Sequence, residues 1–264
     1  AARRLPTTPA AALLPAMRAA GGDEASVAVA PASFEALGLD AGMVLYEAAP
    51  ILPSGMSTLS IRGLHDRALI WVDGRFIGVV DTVSAAAGLE LTGHGDRVRL
   101  EILVENQGRI NYGPLLGQGK GILGAVQIDR RIVQGWRSRP IALAEWSAAR
   151  LETAATLQTR PGDGLETAEP GAAGFFTAEI EIEAAADTFL ALPGFVKGFV
   201  WVNGFLLGRY WEIGPQVTLY VPSPVLRRGA NTVTVLELER SGDDLELREA
   251  PELGPEEEYI ESFG

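Results

Sequence analysis

The sequence predicts an all-β protein built from two tandem antiparallel jelly-roll β-sandwiches. Three observations lead to this fold class: a duplicated segment, tight-turn dipeptides between apolar runs, and strands in which apolar and polar residues alternate. Helix-favouring composition is confined to short pieces such as residues 142–157, where the apolar stripe is thin. Many short strands separated by Gly, Pro and Asn are typical of jelly-roll sandwiches.

One sequence unit occurs twice, at an offset of about 130 residues. Residues 68–80 are similar to residues 198–210, and residues 59–64 are similar to residues 190–195. Matches at a nearly constant offset in several segments indicate a duplicated structural unit. The corresponding pairs are Tyr46 with Phe176, Ala48 with Ala178, Trp71 with Trp201, Val72 with Val202, Gly74 with Gly204 and Gly78 with Gly208.

Each copy contains a predicted hairpin turn. The dipeptides Asp73-Gly74 and Asn203-Gly204 lie between apolar runs and accept positive φ at both central positions of a type I′ turn. We therefore expect the two sandwiches to superpose with Trp71 on Trp201. Both indoles should be largely buried, since a large aromatic side chain before a tight turn is better explained by the core than by a ligand.

Alternation of apolar and polar residues predicts strands with one face in the core and one face in water. The predicted core faces are Val98, Leu100, Ile102 and Val104 in one strand and Ala178, Ile180 and Ile182 in another. The predicted solvent faces are Arg99, Glu101 and Glu105, and Glu179, Glu181 and Glu183. Between residues 232 and 239 the alternation changes phase, which either a bulge or burial on both faces would explain.

Composition and the repeat divide the chain into five segments. They are a Pro/Ala-rich linker at 1–40, a first jelly roll at 41–139, a connector at 140–171, a second jelly roll at 172–248 and an acidic tail at 249–264. Prolines 6, 9 and 15 interrupt the apolar stretch that follows Arg3-Arg4, which favours an extended linker over an export signal. The second span is short for a jelly roll, so we expect the connector or the linker to lend it a strand.

Charge and composition exclude several functions. A net charge of -12, from 22 basic and 34 acidic residues, opposes binding to nucleic acid or to an anionic membrane surface. The absence of cysteine excludes disulfides and thiolate chemistry and suits a cytoplasmic protein, although export of a parent protein stays open. The chain opens Ala-Ala without an initiator methionine, as a piece of a longer protein would.

The sequence contains no recognisable catalytic or metal-binding constellation. His65 and His94 lack partners at any familiar ligand or triad spacing. Glu101 with Glu105 and Glu237 with Glu239 could each present two acids on one side of a strand, but charge that keeps a protein soluble belongs there too. We predict no catalytic residue, no metal site and no cofactor in this chain.

Two segments, 105–113 and 208–216, are unusual for simple strands and turns. Both combine amide groups with aromatic rings, a combination that serves sugar recognition but that also satisfies buried backbone groups. In the first segment we expect Tyr112 to be partly exposed on a loop, because Gly108 and Gly113 allow tight turns and Pro114 restricts the exit.

Several long motifs occur in order: residues 61–68, 104–113, 120–122, 195–211 and 214–216. Together they closely resemble the C-terminal half of glycoside hydrolase family 35 β-galactosidases, over about residues 31 to 240. The resemblance implies two galactose-binding-domain-like sandwiches that follow a catalytic TIM barrel in a retaining exo-β-galactosidase. The barrel and both of its catalytic glutamates are absent from this chain, so the resemblance supplies no catalytic residue.

The resemblance also implies a role and partners. The chain would be a non-catalytic accessory part that stabilises the barrel and shapes its entrance. The barrel would lie in the same polypeptide or in a companion chain. The accessory part would therefore contact the β-galactoside substrate only indirectly. Asn111 and Tyr112 would lie on the aglycone side of the substrate. A free-standing carbohydrate-binding module for galactosides is the alternative. The residues expected to have a structural role, in turns or in packing, are Trp71, Asp73, Gly74, Trp201, Asn203, Gly204, Arg209, Tyr210 and Trp211.

Overall fold

The computed structural model describes residues 3–20, 25–146, 168 and 171–254. They divide into two compact units, one formed by residues 17–145 and the other by residues 1–16 together with 146–264. Within the described residues the regular structure is almost entirely antiparallel β, with a single α-helix. The predicted fold class of two all-β sandwiches is confirmed. No helix in these ranges is both long and apolar enough to span a bilayer.

The N-terminal segment is not the extended linker that the prolines predicted. It forms β1 (Arg3–Pro6), β2 (Thr8–Ala12) and α1 (Leu13–Ala20). Pro6 and Pro9 are tolerated because β1 and β2 are edge strands, where a missing N–H costs no ladder bond. Pro15 lies in the first turn of α1, where the N–H has no helical partner in any case.

The first sandwich contains two facing sheets and a small two-stranded ribbon. Its strands are β3 (Ser26–Ala28), β4 (Met43–Ala48), β5 (Gly55–Ile61), β6 (Leu64–His65), β7 (Arg67–Val72), β8 (Arg75–Asp81), β9 (Leu89–Gly93), β10 (Leu100–Glu105), β11 (Gly121–Ile122), β12 (Val126–Ile128), β13 (Arg131–Ile132) and β14 (Trp136–Ile141). The sheet orders are β3-β14-β4-β10-β7-β8 and β13-β12-β5-β9, and β11 pairs with β6. Apolar side chains from both sheets, such as Ile102 and Leu59, form one core.

The second sandwich is completed by the N-terminal strands. Its own strands are β15 (Gly174–Ile182), β16 (Thr188–Ala191), β17 (Lys197–Val202), β18 (Phe205–Trp211), β19 (Thr218–Val221), β20 (Gly229–Glu237) and β21 (Asp244–Arg248). The sheet orders are β18-β17-β20-β15-β2 and β1-β21-β16-β19. The segment predicted as a linker therefore lends two strands, which accounts for the short span predicted at 172–248.

The two sandwiches repeat the same geometry, as the sequence predicted. Asp73 and Asn203 both have a φ of 51°, and a register shift follows residue 70 in one hairpin and residue 200 in the other. The Asp73 side chain accepts a hydrogen bond from the Arg99 N–H at 2.7 Å, and the Asn203 side chain accepts one from the Thr232 N–H at 3.1 Å. Trp71 and Trp201 are 5% and 0% exposed.

The copies differ in where their last two strands come from. In the first sandwich β13 and β14 follow the shared unit; β13 is the edge strand beside β12, and β14 lies between β4 and β3. In the second sandwich β1 and β2 occupy the corresponding places, although they precede everything else in the chain. The duplication is therefore combined with a change of strand order.

The predicted core faces of the alternating strands are confirmed, but part of the predicted solvent face is wrong. Leu100, Ile102 and Val104 belong to the core of the first sandwich. Glu101 and Glu105 are nevertheless fully buried, because β10 is covered on both of its faces and Arg18 of α1 reaches Glu101. Alternation alone cannot show whether a second layer covers the polar face.

The phase change at residues 232–239 reflects burial on both faces. The pairings of β20 with β15 and β17 show no register shift, so no bulge interrupts this strand. Trp146 stacks on both Phe175 and Trp201, with ring centroids 6.0 Å apart in each case. These rings add a second apolar layer beside β20, and Glu237 is fully buried as well.

Two predicted segments are described only in part. The helix-favouring stretch at 142–157 begins with a 3₁₀ turn at Leu143–Glu145, and its residues beyond 146 lie outside the described residues. The acidic tail predicted at 249–264 is described to residue 254.

Candidate functional site

A long loop joins β10 to β11 and carries the aromatic residue that the sequence singled out. Tyr112 is 81% exposed, more than the partial exposure predicted, and Asn111 beside it is exposed as well. Leu115 and Leu116, further along the loop, are 57% and 60% exposed. Three neighbouring apolar or aromatic side chains on one loop present a surface suited to contact with another molecule.

The amide-rich start of the loop is anchored to the sandwich. The Asn106 side chain donates to the Asp40 carbonyl at 2.9 Å and accepts from the Gly108 N–H at 2.9 Å. The Gln107 N–H donates to the Asp66 carboxylate at 2.8 Å. The Asn106 amide therefore satisfies backbone groups, one of the two roles that the sequence left open for this segment.

Two ion pairs extend this anchor. The Lys120 ammonium, which is almost fully buried, lies 2.8 Å from Asp66, and the Arg109 guanidinium lies 2.8 Å from Glu35. Partial burial raises the pKa of Glu35, but hydrogen bonds from Arg109 and from the Lys120 N–H outweigh it and lower the pKa to about 2. Glu35 thus stays ionised and holds both ends of the loop.

Sequence reasoning did not assign these anchoring residues. Asp66 and Lys120 lie within motifs that resemble the family, which was the available signal for them. Glu35 and Asp40 lie in the segment predicted as a linker, where nothing pointed to them. The glycines behave as predicted, with φ of 134° at Gly108 and 90° at Gly113, values that only glycine adopts without strain.

The segment at 208–216 makes contacts within the second sandwich. The Arg209 guanidinium lies 5.6 Å from the centroid of the Phe199 ring, and the Lys197 ammonium lies 4.1 Å from that of Trp211. Tyr210 is buried and its hydroxyl donates to Glu237 at 2.8 Å. Burial and the neighbouring Glu237 carboxylate raise the pKa of Tyr210 well above its usual range.

Glu237 is the centre of this polar cluster. It accepts hydrogen bonds from the N–H groups of Val196, Lys197, Glu239 and Arg240, in addition to the bond from the Tyr210 hydroxyl. Burial raises the pKa of Glu237 to about 6, although these donors oppose the rise. A carboxyl group held by five donors is fixed in place and has no room for a substrate.

The remaining titratable candidates are dispersed. Arg18 binds Glu101 in a bidentate ion pair at 2.5 and 2.6 Å, so this carboxylate is fully engaged. His65 ends the short strand β6 and His94 lies on an exposed turn. Within residues 3–20, 25–146, 168 and 171–254, no three His, Cys, Asp or Glu side chains converge as metal ligands would.

The fold defines the class of the protein: a pair of antiparallel jelly-roll β-sandwiches. Residues 31–142 match the family description "Beta-galactosidase, first all-beta domain", and residues 173–231 match "Beta-galactosidase, galactose-binding domain". The chain belongs to the β-galactosidase family, and the described sandwiches are its all-β domains.

Full-length relatives agree with this assignment. "Beta-galactosidase 17" of Arabidopsis thaliana is 36% identical, covering 82% of this chain and 34% of its own length. "Beta-galactosidase-1-like protein" of Mus musculus is 38% identical, covering 80% and 32%. "Beta-galactosidase" of Homo sapiens is 36% identical, covering 78% and 32%. The chain thus spans about a third of the length of the relatives it matches.

Proposed function

We propose that this chain is the non-catalytic all-β part of a β-galactosidase. A catalytic barrel, in the same polypeptide or a companion chain, hydrolyses terminal β-galactosides with retention, while these sandwiches stabilise it and shape its entrance. The anchored loop that exposes Tyr112 is the observation that carries the proposal. An exposed aromatic ring on a rigid loop lowers the solubility of an isolated domain, whereas it contributes to binding where a second protein surface or a substrate contacts it.

On this proposal the loop contacts the leaving group of the substrate. The ring of Tyr112 can stack against the C–H face of a second sugar, and the Asn111 amide can donate to and accept from its hydroxyls. The ion pairs of Arg109 and Lys120 hold the loop, so little conformational entropy is lost when the sugar binds.

Tyr112→Ala in the full-length enzyme tests this role. Loss of stacking worth about 1 kcal/mol should lower kcat/KM for a β-linked galactosyl disaccharide roughly fivefold and leave that for a small aryl galactoside almost unchanged. Tyr220→Ala is the matched control, since Tyr220 is an exposed aromatic residue of the second sandwich. An equal loss on both substrates, or no loss on either, would count against the aglycone role.

A free-standing module that binds galactosides is the second candidate, and a cleft in the second sandwich favours it. The coding sequence upstream of residue 1 separates the two functions. A barrel encoded in the same frame supports the accessory role, and a start codon directly before residue 1 supports the module.

A further inference from the structure

The hairpin that joins β17 to β18 turns at Asn203-Gly204, a dipeptide that can react with itself. The backbone nitrogen of the glycine can give up its proton and attack the side-chain Cγ of the asparagine. The new N–Cγ bond closes a succinimide ring, and the side-chain nitrogen leaves as ammonia. Water then opens the ring at either carbonyl and leaves aspartate or isoaspartate. Glycine favours the attack, because it has no side chain to hinder it.

The Asn203 side chain is held at both of its ends. Its NH₂ group donates to the Val225 carbonyl at 2.8 Å and to the Asn231 side-chain oxygen at 2.8 Å. Its oxygen accepts from the Thr232 N–H at 3.1 Å. Because the side-chain nitrogen is the leaving group of the reaction, both of its hydrogen bonds must break before ammonia departs. The folded hairpin therefore opposes the reaction that its sequence allows.

Asn231 extends this network into the interior of the second sandwich. It is fully buried, and its NH₂ group donates to the carbonyls of Arg227 and Gly229 at 2.8 and 2.9 Å. Its oxygen accepts from the Arg227 N–H at 2.9 Å, in addition to the bond from Asn203. A buried amide that is bonded through both groups resists movement, since displacement would leave buried polar atoms unpaired.

The first hairpin lacks this anchor. The Asp73 N–H donates to the Arg99 carbonyl at 2.8 Å, which is the bond that Asn203 makes to the equivalent strand of the other copy. Val98, the residue before Arg99, therefore occupies the place of Asn231. It packs against the apolar core and has no side-chain group that could bond to an amide. The fold can thus close this hairpin without a buried asparagine.

Conversion of Asn203 to an acid would prevent the second hairpin from closing again. A carboxylate has no donor, so the Val225 carbonyl and the Asn231 oxygen would each face an oxygen where an N–H group now lies. Acceptors that lose their donors in a partly buried site cost free energy, and a neighbouring negative charge adds to that cost. Isoaspartate would also disturb the strand pairing, because it lengthens the main chain within the turn.

We propose that Asn203-Gly204 is a site of spontaneous deamidation that the folded second sandwich protects. Deamidation then takes place when the hairpin opens locally, and it makes that opening irreversible. The reaction needs only water, and it involves neither a sugar nor a barrel. It therefore goes beyond the proposed accessory role and does not depend on it.

Asp73→Asn provides a matched site in the same molecule, because it places the same dipeptide in the hairpin that lacks the anchor. The purified variant is incubated in mildly alkaline buffer, and deamidation at both hairpins is followed by mass spectrometry of their peptides. In the folded chain the new asparagine should deamidate at least about tenfold faster than Asn203. In concentrated urea the two rates should agree within about threefold, since no anchor remains.

Asn203→Asp tests the consequence, since it creates the product without the reaction. It should lower the midpoint of urea unfolding of the second sandwich by about 0.5–1 M. Asp73→Asn should leave the midpoint almost unchanged, because an amide oxygen can still accept the bond from the Arg99 N–H. Equal deamidation rates at the two hairpins of the folded chain would overturn the proposal, as would an Asn203→Asp chain that is as stable as the unsubstituted one. Neither result involves Tyr112, so failure here leaves the entrance role untouched.

Discussion

Glu237 accepts five hydrogen bonds although its side chain is fully buried. Burial favours the protonated acid, whereas the five donors favour the carboxylate, and burial is the larger of the two effects. At the residue scale, this balance makes the stability of the second sandwich depend on pH.

Replacing Glu237 with glutamine, its neutral isostere, tests this dependence of stability on pH. The folded pKa of about 6 lies above the ordinary value of 4.5, so the contribution of Glu237 to stability is fully present below pH 4.5 and is lost as the pH rises through 6. The free energy of unfolding of Glu237→Gln, relative to the natural chain, should therefore rise by about 2 kcal/mol between pH 4 and pH 7.

Urea unfolding at a series of pH values measures this difference. Glu181→Gln removes the same charge from an exposed position of the same sandwich and is the matched control. A difference for Glu237→Gln that stays constant from pH 4 to pH 7 would contradict the raised pKa.

Gly198, which lies beside Tyr210 and Glu237, has no room for a side chain. A Cβ atom there would lie 1.8 Å from the Leu236 carbonyl oxygen and 2.8 Å from the Tyr210 hydroxyl. Gly198→Ala should lower the free energy of unfolding by about 3 kcal/mol, because the backbone of the neighbouring strand cannot move aside. The reverse change at the equivalent place, Ala68→Gly, should cost about 1 kcal/mol or less. Thermal unfolding of both variants measures the two losses of stability. Equal losses for Gly198→Ala and Ala68→Gly would contradict the steric argument.

At the scale of elements, the N-terminal strands stabilise the second sandwich, although they lie far from its other strands in the sequence. Leu5 of β1 is 3% exposed and belongs to the core of the second sandwich, and β2 pairs with β15 along one edge. The prolines that suggested a linker mark edge strands instead, and only long-range pairing distinguishes the two.

Leu5→Asp should therefore destabilise the second sandwich selectively. A carboxylate placed in this core should lower the free energy of unfolding by about 3 kcal/mol or more. Because a compact unit unfolds cooperatively, the loss should be confined to the second sandwich. Amide hydrogen exchange should show lost protection in β15 and β21 and retained protection in β4 and β10. Arg4→Gln, at the exposed neighbouring position, is the control; it loses only an exposed ion pair with Glu246 and should leave exchange almost unchanged. Equal loss in both sandwiches would refute the assignment of β1 to one core.

At the scale of the whole molecule, the described residues form two sandwiches, and two of the acids that the sequence singled out, Glu101 and Glu237, are engaged by other groups of the protein. Glu101 is engaged by Arg18 and Glu237 by five donors, so neither has the accessible neighbour that a retaining glycosidase needs at about 5–5.5 Å. The chain also spans about a third of the length of its relatives.

We therefore expect the purified chain to give no turnover of 4-nitrophenyl β-galactoside above buffer at any pH between 4 and 8. Release of nitrophenol, followed by absorbance after raising the pH, is the measurement. Hydrolysis that Glu101→Gln or Glu237→Gln abolishes would show that this chain carries a catalytic acid after all.

Local signals were enough to predict much of this architecture. Asp73-Gly74 and Asn203-Gly204 identify two hairpins, because positive φ at two successive positions restricts the residues that fit. The alternation in β15 likewise separates Ala178 and Ile180, which are buried, from Glu179 and Glu181, which are exposed. The exposure of Tyr112 followed from the glycines around it.

The sequence by itself determined the fold class, the duplication and the family, since these depend on periodicity, turn residues and motif order along the chain. The tertiary structure decided which faces are covered and which distant groups meet. The burial of Glu101 and Glu237, the addition of β1 and β2 to the second sandwich, and the anchoring of the Tyr112 loop by Glu35 and Lys120 all join residues far apart in the sequence. No local pattern records such pairings, because the free energy that selects them comes from burial and charge contacts that exist only once both partners are in place.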